Sequence, residues 1–387
     1  MKQFNYFQPT EIVFGSGKVK DIGKLTKKYG KSCLLVTVPV FKEIEANVNN
    51  IKKTLKEAGI EVFHFDGVVP NPTTESISAG AKIAEENKVD FVIGFGGGSS
   101  MDTAKAIAVE STHEGTAWDY LFFKNQPTEK TLPIVAVTTT SGTGSHVTQV
   151  SVLTNSDMKS KSAIFNSIIY PKLSIVDPEM MLSLPKHITG STGFDSFSHA
   201  FESYININCS PYVEVLALEA MKLVIENLQE AINNGGNIDA REKMAWADTL
   251  AGLCIANSGV TLPHGIGMTI GGFFPKIMHG EALAIVYPEF MRFTYKSNIK
   301  KFAKVARLFD SNLVTAKDEE SAYKLCGIMD EFLKKSDMWL SFEKFGVNKE
   351  DLREVANHCH DLPDYKANPR IASIEDIYEI LIHSYNR

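Results

Sequence analysis

The chain has 387 residues, 44% of them hydrophobic and 22% charged, enough apolar material for two folded cores and a composition that excludes extended disorder. A formal charge of -6, with basic residues scattered among acids, leaves no stripe for a phosphate backbone, so no nucleic-acid partner is expected. No apolar run approaches the roughly 20 residues of a membrane-spanning helix, and MKQFNYFQPTEIVFG lacks a basic start leading into an apolar stretch; a cytoplasmic protein without membrane contact is expected.

As far as about residue 184, β-branched runs alternate with helical patterns. SCLLVT (32–37), EVFHF (61–65), DFVIGF (90–95), PIVAVT (133–138) and LSIVD (173–177) read as strands. Between the first three lie the amphipathic segments EIEANVNNIKKTLKEAG, stopped by Gly59, and TTESISAGAKIAEENK. Such alternation predicts a mostly parallel sheet covered by helices. After Pro185 the texture turns helical. Ser210-Pro211 opens a long helix through LALEAMKLVIENL, Asp239 with Glu242 resembles a capping box, and Ser373 with Asp376 starts the last helix. A boundary near SLPKHITG divides the chain into an α/β domain, residues 1–184, and an all-α domain, residues 185–387. The short junction predicts that the two pack around a cleft. The five cysteines, Cys33, Cys209, Cys254, Cys326 and Cys359, are odd in number and show no CxxC spacing, so small buried thiols are expected at every position.

Three stretches carry chemistry. FVIGFGGGSSMDTAKA (91–106) runs from a buried-strand pattern through Gly96, Gly97 and Gly98 into a helix, where Ser99 and Ser100 meet the unpaired N–H groups and positive dipole end of its first turn. It is an anion cradle or a tight turn, and it matches neither the Walker nor the GxGxxG spacing. TTTSGTGSHVT (138–148) follows another strand; its hydroxyls either bind ribose and phosphate oxygens or cap their own backbone. Together the two sketch a nucleotide crevice at the carboxyl ends of parallel strands. In GFDSFSHAFESY (193–204), Asp195 and His199 are four apart and therefore share a helix face, as a hydrogen-bonded couple or half of a metal site. His264 in TLPHGIGMT and His279 in KIMHGEA each precede a glycine, which permits close approach of the chain to a ligand. These four residues would offer three imidazole nitrogens and a carboxylate oxygen, a donor set suited to Fe(II), Zn(II) or Mn(II). His64, His113, His187, His358, His360 and His383 read as structural histidines, and His146 is undecided between the two.

GGGSSMDTAK, TTTSGTGSHVT, PKLSIVDPEMM, TGFDSFSHAFESY, LPHGIG, MHGEALAIVYPEFM and the late ANPR, in this order, resemble the iron-containing (group III) alcohol dehydrogenases, whose superfamily includes glycerol dehydrogenase and dehydroquinate synthase. The resemblance covers nearly the whole chain. It implies a dehydroquinate synthase-like fold with an α/β nucleotide domain and a helical metal domain, and Asp195, His199, His264 and His279 as ligands of an iron, zinc or manganese ion. It implies dinucleotide contacts at Gly97, Gly98, Ser99 and Asp102 near the pyrophosphate, at Thr138, Thr139 and Thr143 near the nicotinamide, and at Lys161 with phosphates or ribose. NAD or NADP is the implied cofactor, and a homo-oligomer, dimer or larger, is the expected assembly.

Three departures from the family pattern bear on chemistry. Four residues after His264 the family commonly has a second histidine, where this chain has Met268, which relays no proton. After GTGS the family usually has glutamate, and His146 here adds a titratable ring as a candidate substitute for the missing relay. Where relatives that prefer NAD often carry an aspartate that repels a 2′-phosphate, this chain has Val38, which leaves NAD and NADP both open. The expected activity is metal-dependent interconversion of small, aliphatic alcohols and aldehydes, with aldehyde reduction the expected direction and Val150, Ile255 and Met268 as pocket wall. Glycerol or polyol dehydrogenation is the near alternative. A dehydroquinate synthase-type lyase is more distant, since it calls for clustered basic residues and a glutamate in place of Asp195.

Overall fold

The computed structural model describes residues 3–121, 124–158 and 160–386. Its first part contains, in chain order, β1 (Glu11–Phe14), α1 (Ile22–Thr26), β2 (Ser32–Val36), α2 (Lys42–Glu57), β3 (Glu61–Phe65), α3 (Thr74–Glu86), β4 (Phe91–Gly96), α4 (Gly98–Glu110), β5 (Ile134–Thr138), β6 (Val150–Asn155), β7 (Ser160–Phe165) and β8 (Leu173–Val176). Six strands form one sheet in the order β1-β8-β5-β4-β2-β3, and every neighbouring pair is parallel. Alternate residues feed two cores. Leu34, Val36 and Val92 pack on one face with Ile77, Ala104 and Ile107. Cys33, Leu35, Ile93 and Phe95 pack on the other with Val48, Ile51 and Leu55, which is why these strands are apolar throughout.

The strand order sets the position of the ligand crevice. From β2 the chain steps outward to β3; it then returns across β2 to β4 and continues the opposite way to β5. The order therefore reverses between β2 and β4, and the space outside their carboxyl ends is where open α/β sheets receive ligands. Val38 follows β2 there, and Gly97 to Ser99 follow β4. β6 and β7 form a separate antiparallel hairpin. Neither hairpin strand is among the sequence-expected ones, and nor is β1, because none of them is buried along its whole length as the central strands are.

The second part is helical: α5 (Lys186–Ile205), α6 (Pro211–Asn233), α7 (Ile238–Ser258), α8 (Leu262–Phe273), α9 (His279–Thr294), α10 (Ile299–Phe309), α11 (Asp318–Lys335), α12 (Asp351–His358) and α13 (Ile374–His383). Ser210 Oγ caps α6 by accepting from Val213 N at 3.2 Å. Ser373 and Asp376 form the expected capping box of α13, with Asp376 N donating to Ser373 Oγ at 3.1 Å and Ser373 N to Asp376 Oδ2 at 2.9 Å. The capping box expected at Asp239 and Glu242 does not form. Asn237 Oδ1 accepts from Ala240 N at 3.2 Å and starts α7 earlier, leaving Asp239 inside the first turn, where it pairs with Lys243.

By contacts the chain divides into two compact units. One holds Phe7–Leu184 together with Gly236–Ala245, the start of α7; the other holds Pro185–Gly235 and the chain from Trp246 onward, with the segment before Phe7. Among the described residues no helix is long and apolar enough to cross a membrane.

Candidate active site

α5 carries two different faces. Phe194, Phe197 and Phe201, at helical spacing, stack on one another and meet Tyr287 and Phe302 edge-on and Phe332 at a tilt in the core of the helical unit. Asp195, His199 and Glu202, spaced four and three apart, line a second face, and all three are buried. Onto that face α8 brings His264 in its first turn, and α9 brings His279 as its first residue. Asp195 Oδ1 is the common point: His264 Nε2 lies 3.6 Å from it, His199 Nε2 3.7 Å and His279 Nε2 3.9 Å. The rings of His199 and His264 stack with centroids 4.6 Å apart, and that of His279 meets His264 edge-on at 5.2 Å.

Asp195, His199 and His264 form a triad whose donor atoms lie within 4.8 Å of one another and could hold a metal ion. Asp195 Oδ1 and His264 Nε2 are buried without a hydrogen-bond partner, an arrangement that costs about 1–3 kcal/mol per group unless a cation satisfies it. Donors about 2.0–2.2 Å from a common tetrahedral ion would be roughly 3.3–3.6 Å apart, close to the spacing found here. The residues present therefore fit a divalent metal. The electrostatics agree. Burial pushes the Asp195 carboxyl up, but His199, His264 and His279 outweigh it and hold it down at about 2. Burial pushes His264 down, but Glu202 and Asp195 raise it to about 10. Asp364, whose Cβ would lie 3.4 Å from a Cβ on Gly265, is pushed up to about 6 by burial, with His264 opposing and Glu202 reinforcing.

Glu202 was not among the sequence candidates. It is fully buried; its Oε1 lies 2.7 Å from His264 Nδ1, and its Oε2 accepts from Thr261 N at 2.8 Å and Thr261 Oγ1 at 3.2 Å. The signal was present as the run Asp195, His199, Glu202 on one helix face. The glycine after His279 has a different reason from the one expected. A Cβ on Gly280 would lie 2.1 Å from Ser191 O, so glycine there lets α9 lie against α5 and not a ligand against the chain. Met268, one turn after His264 on α8, is half-buried, as are Ile255 on α7 and Val150 on β6.

In the sheet unit the two polar loops meet. Thr139 N donates to Gly96 O at 2.9 Å, and Gly96 is registered against Thr138. A Cβ on Gly98 would lie 2.6 Å from Thr143 Cγ2, and one on Gly97 3.2 Å from Thr140 Cγ2, so the threonine loop fills the space that side chains would take. Gly97 caps α4, whose first turn, with Ser99, presents its positive end. Thr138 is buried and donates to Thr140 O at 2.8 Å.

Asp102 is turned toward the structure around it. Its Oδ1 accepts from Ser145 Oγ at 2.6 Å and its Oδ2 from Val152 N at 3.1 Å, while burial raises its pKa against the pull of Lys105. Lys105 is 0% exposed, with Nζ donating to Ser145 O and Val150 O at 2.7 Å, Ser145 Oγ at 2.8 Å and Thr148 O at 3.0 Å. Burial, opposed by Asp102, lowers it to about 8. His146 is also 0% exposed, and burial with help from Lys105 pushes it to about 3, so the ring stays neutral near pH 7.

Lys161 Nζ, on β7, donates to Asn71 Oδ1 at 2.8 Å. At Val38 a directed chain ends. Lys52 Nζ lies 2.8 Å from His64 Nδ1, and an ammonium only donates, so His64 Nε2 carries the hydrogen toward Thr37 Oγ1 at 2.9 Å. Thr37 Oγ1 in turn donates to Val38 O at 2.7 Å.

A triad of metal donors and a glycine loop at the switch point of a parallel sheet find their counterpart in known proteins. The profile for iron-containing alcohol dehydrogenase matches residues 9–178, and that for the C-terminal part of the Fe-containing alcohol dehydrogenase family matches residues 189–385. The chain belongs to the iron-containing alcohol dehydrogenase family. It is similar to the NAD-dependent methanol dehydrogenase of Bacillus methanolicus, 33% identical over 97% of this chain and 98% of that protein. It is similar to the 1,3-propanediol dehydrogenase of Klebsiella pneumoniae, 32% identical over 99% of each. Among solved structures, an archaeal halo-thermophilic alcohol dehydrogenase from a Red Sea brine pool superposes with a TM-score of 0.94 at 35% identity, over 99% of this chain and 100% of that one. As a member of this family the chain is a metal-requiring, NAD(P)-linked oxidoreductase of CH–OH groups, built on a parallel-sheet domain followed by an all-α domain.

Proposed function

We propose that this protein reduces small aliphatic aldehydes to alcohols with a reduced nicotinamide dinucleotide, using an Fe(II) ion held by Asp195, His199, His264 and His279. The observation that carries the reading is the convergence of three imidazole Nε2 atoms within 3.6–3.9 Å of one buried carboxylate oxygen. When bound, the metal supplies Lewis-acid stabilisation of a developing alkoxide, and the nicotinamide supplies or takes the hydride. Asp195 contributes the only charge of the donor set if the imidazoles are neutral, so a divalent ion keeps net positive charge for the substrate oxygen. The first turn of α4 with Gly97, Gly98 and Ser99 would hold the pyrophosphate. Thr138, Thr139 and Thr143 serve the nicotinamide side, and Asp102 keeps the hydroxyl loop in shape from beneath. Lys161 is the candidate for a phosphate or ribose contact. With Val38 following β2, no carboxylate repels a 2′-phosphate at that position, so NADPH is admitted beside NADH.

Met268 carries no exchangeable proton, and a neutral, buried His146 does not replace one. Neither side chain would therefore supply the proton to the substrate oxygen, and water is the proposed source. Half-buried Ile255 and Met268 favour an aliphatic substrate. Relatives named for methanol and 1,3-propanediol support a small one. A cytoplasmic homo-oligomer, dimer or larger, completes the proposal and is read from light scattering of the purified protein. The activity is tested by purifying the protein without metal, reloading it separately with Fe(II) and Zn(II), and following NADH and NADPH oxidation against an aldehyde panel, with glycerol oxidation assayed alongside. Turnover that appears only with metal and only with short aldehydes is expected; none with any aldehyde or alcohol refutes the reading.

A further inference from the structure

We infer that Glu202 is a positioning residue that fixes His264 with Nε2 toward the metal, an inference that rests on the metal reading above. Glu202 sits three residues beyond His199 and seven beyond Asp195, so α5 carries two of the donors and the group that orients a third. Its carboxylate only accepts hydrogen bonds. At 2.7 Å from Oε1, His264 Nδ1 must therefore carry the hydrogen, which leaves Nε2 as the ring nitrogen for a cation, 3.6 Å from Asp195 Oδ1.

The other carboxylate oxygen holds the backbone from which that ring projects. Thr261 is the N-cap of α8 and His264 its third residue, with Pro263, which has no N–H, between them. Glu202 Oε2 takes the N–H and hydroxyl of Thr261, so one buried side chain ties both the start of α8 and the imidazole to α5. Rotation of the ring by a half turn would put a carbon opposite Oε1 and leave the buried carboxylate with an unmet acceptor. A carboxylate that merely capped α8 would need only the Thr261 contacts. The bond to Nδ1 is the one that selects a tautomer.

The test uses the full chain, with Zn(II) as a redox-silent probe. Chelator competition gives the Zn(II) Kd of the wild type, of Glu202→Gln and of Thr261→Val, the last removing only the hydroxyl donor. A roughly 10- to 100-fold weaker Kd is expected for Glu202→Gln, the range typical of lost partners of metal-bound histidines, and a change below about twofold for Thr261→Val. Nitrogen-15 spectra of the imidazoles in zinc-loaded wild type, with His264 assigned by loss of its signals in His264→Gln, are expected to show the proton on Nδ1. That measurement decides the matter if Glu202→Gln does not fold. A wild-type protein that takes up no zinc overturns the metal reading and this inference with it. Wild-type binding with an undiminished Glu202→Gln, an equal loss in Thr261→Val, or a proton on Nε2 in the loaded protein overturns the inference alone.

Discussion

Replacing Lys105 by methionine isolates the interaction that binds the phosphate-facing helix to the hydroxyl loop. The ammonium is fully buried and donates to three carbonyls, Ser145 O, Thr148 O and Val150 O, at 2.7–3.0 Å, and to Ser145 Oγ at 2.8 Å. Methionine keeps much of the side-chain volume and removes every donor. Three buried acceptors left without a partner cost about 1–3 kcal/mol each. Relief of the ammonium's desolvation offsets part of this, and Asp102 loses its nearby cation. The net falls near the roughly 3–5 kcal/mol that follows removal of one partner from a buried charged group. Native-state hydrogen exchange of the β4 and β6 amides reads this loss in the sheet unit, with amides of α5 and α9 as the reference for the helical unit. A protection loss below about 1 kcal/mol in β4 and β6 refutes the reasoning, since it would mean that the carbonyls find other donors or that the lysine contributes nothing when charged.

The same variant carries a pH signature. Because Lys105 is lowered to about 8 in the folded protein from an ordinary 10.5, the unfolded chain holds more protons between those values. Its share of the stability therefore rises with pH across that window, and the stability difference between wild type and Lys105→Met should widen from pH 8 to 10; a difference that narrows contradicts the assigned direction. His264→Ala and Asp195→Asn should each lower bound metal to well under one ion per chain by elemental analysis, and unchanged stoichiometry in both would remove the proposed site. Gly98→Ala brings a methyl to 2.6 Å from Thr143 Cγ2 and should weaken NADH binding at least tenfold by fluorescence titration while metal content holds. His146→Gln should leave the pH profile of turnover in place, because a ring held near pKa 3 does not titrate in the working range; a displaced limb would restore it as a proton carrier.

Much of the sheet unit was legible because a strand buried on both faces has no choice of composition. The runs around Leu34, Ile93 and Val135 announce themselves, and their 0% exposure is the reason. The β6–β7 hairpin was not legible. Its residues alternate between the hairpin's two sides, and its stability depends on Asp102 and Lys105, which lie more than 40 residues away in sequence. Burial was equally hidden at His146. In sequence it is a titratable residue next to a polar loop, whereas in the fold its ring is enclosed, and its carbonyl accepts from the Ser174 hydroxyl on β8.

The metal donors show where the limit of sequence reasoning lies. Asp195 and His199 are local, a single helical turn apart, and their adjacency follows from α-helix geometry alone. His264 and His279 come from other helices, and only the packing of α8 and α9 on α5 makes them neighbours of the same oxygen. Glu202 lies between these cases. Its spacing put it on the face of Asp195 and His199, but its role depends on a partner 62 residues ahead that the spacing does not name. The aromatic positions 194, 197 and 201 pack α5 against Tyr287, Phe302 and Phe332, while its 195, 199, 202 face, buried as well, meets His264 and His279. The phenylalanines therefore help to hold in place the helix that carries two of the donors. A change such as Phe197→Ala, about 3–5 kcal/mol in a packed core, would disturb the metal face through the orientation of the helix, although Phe197 contributes no donor atom to it.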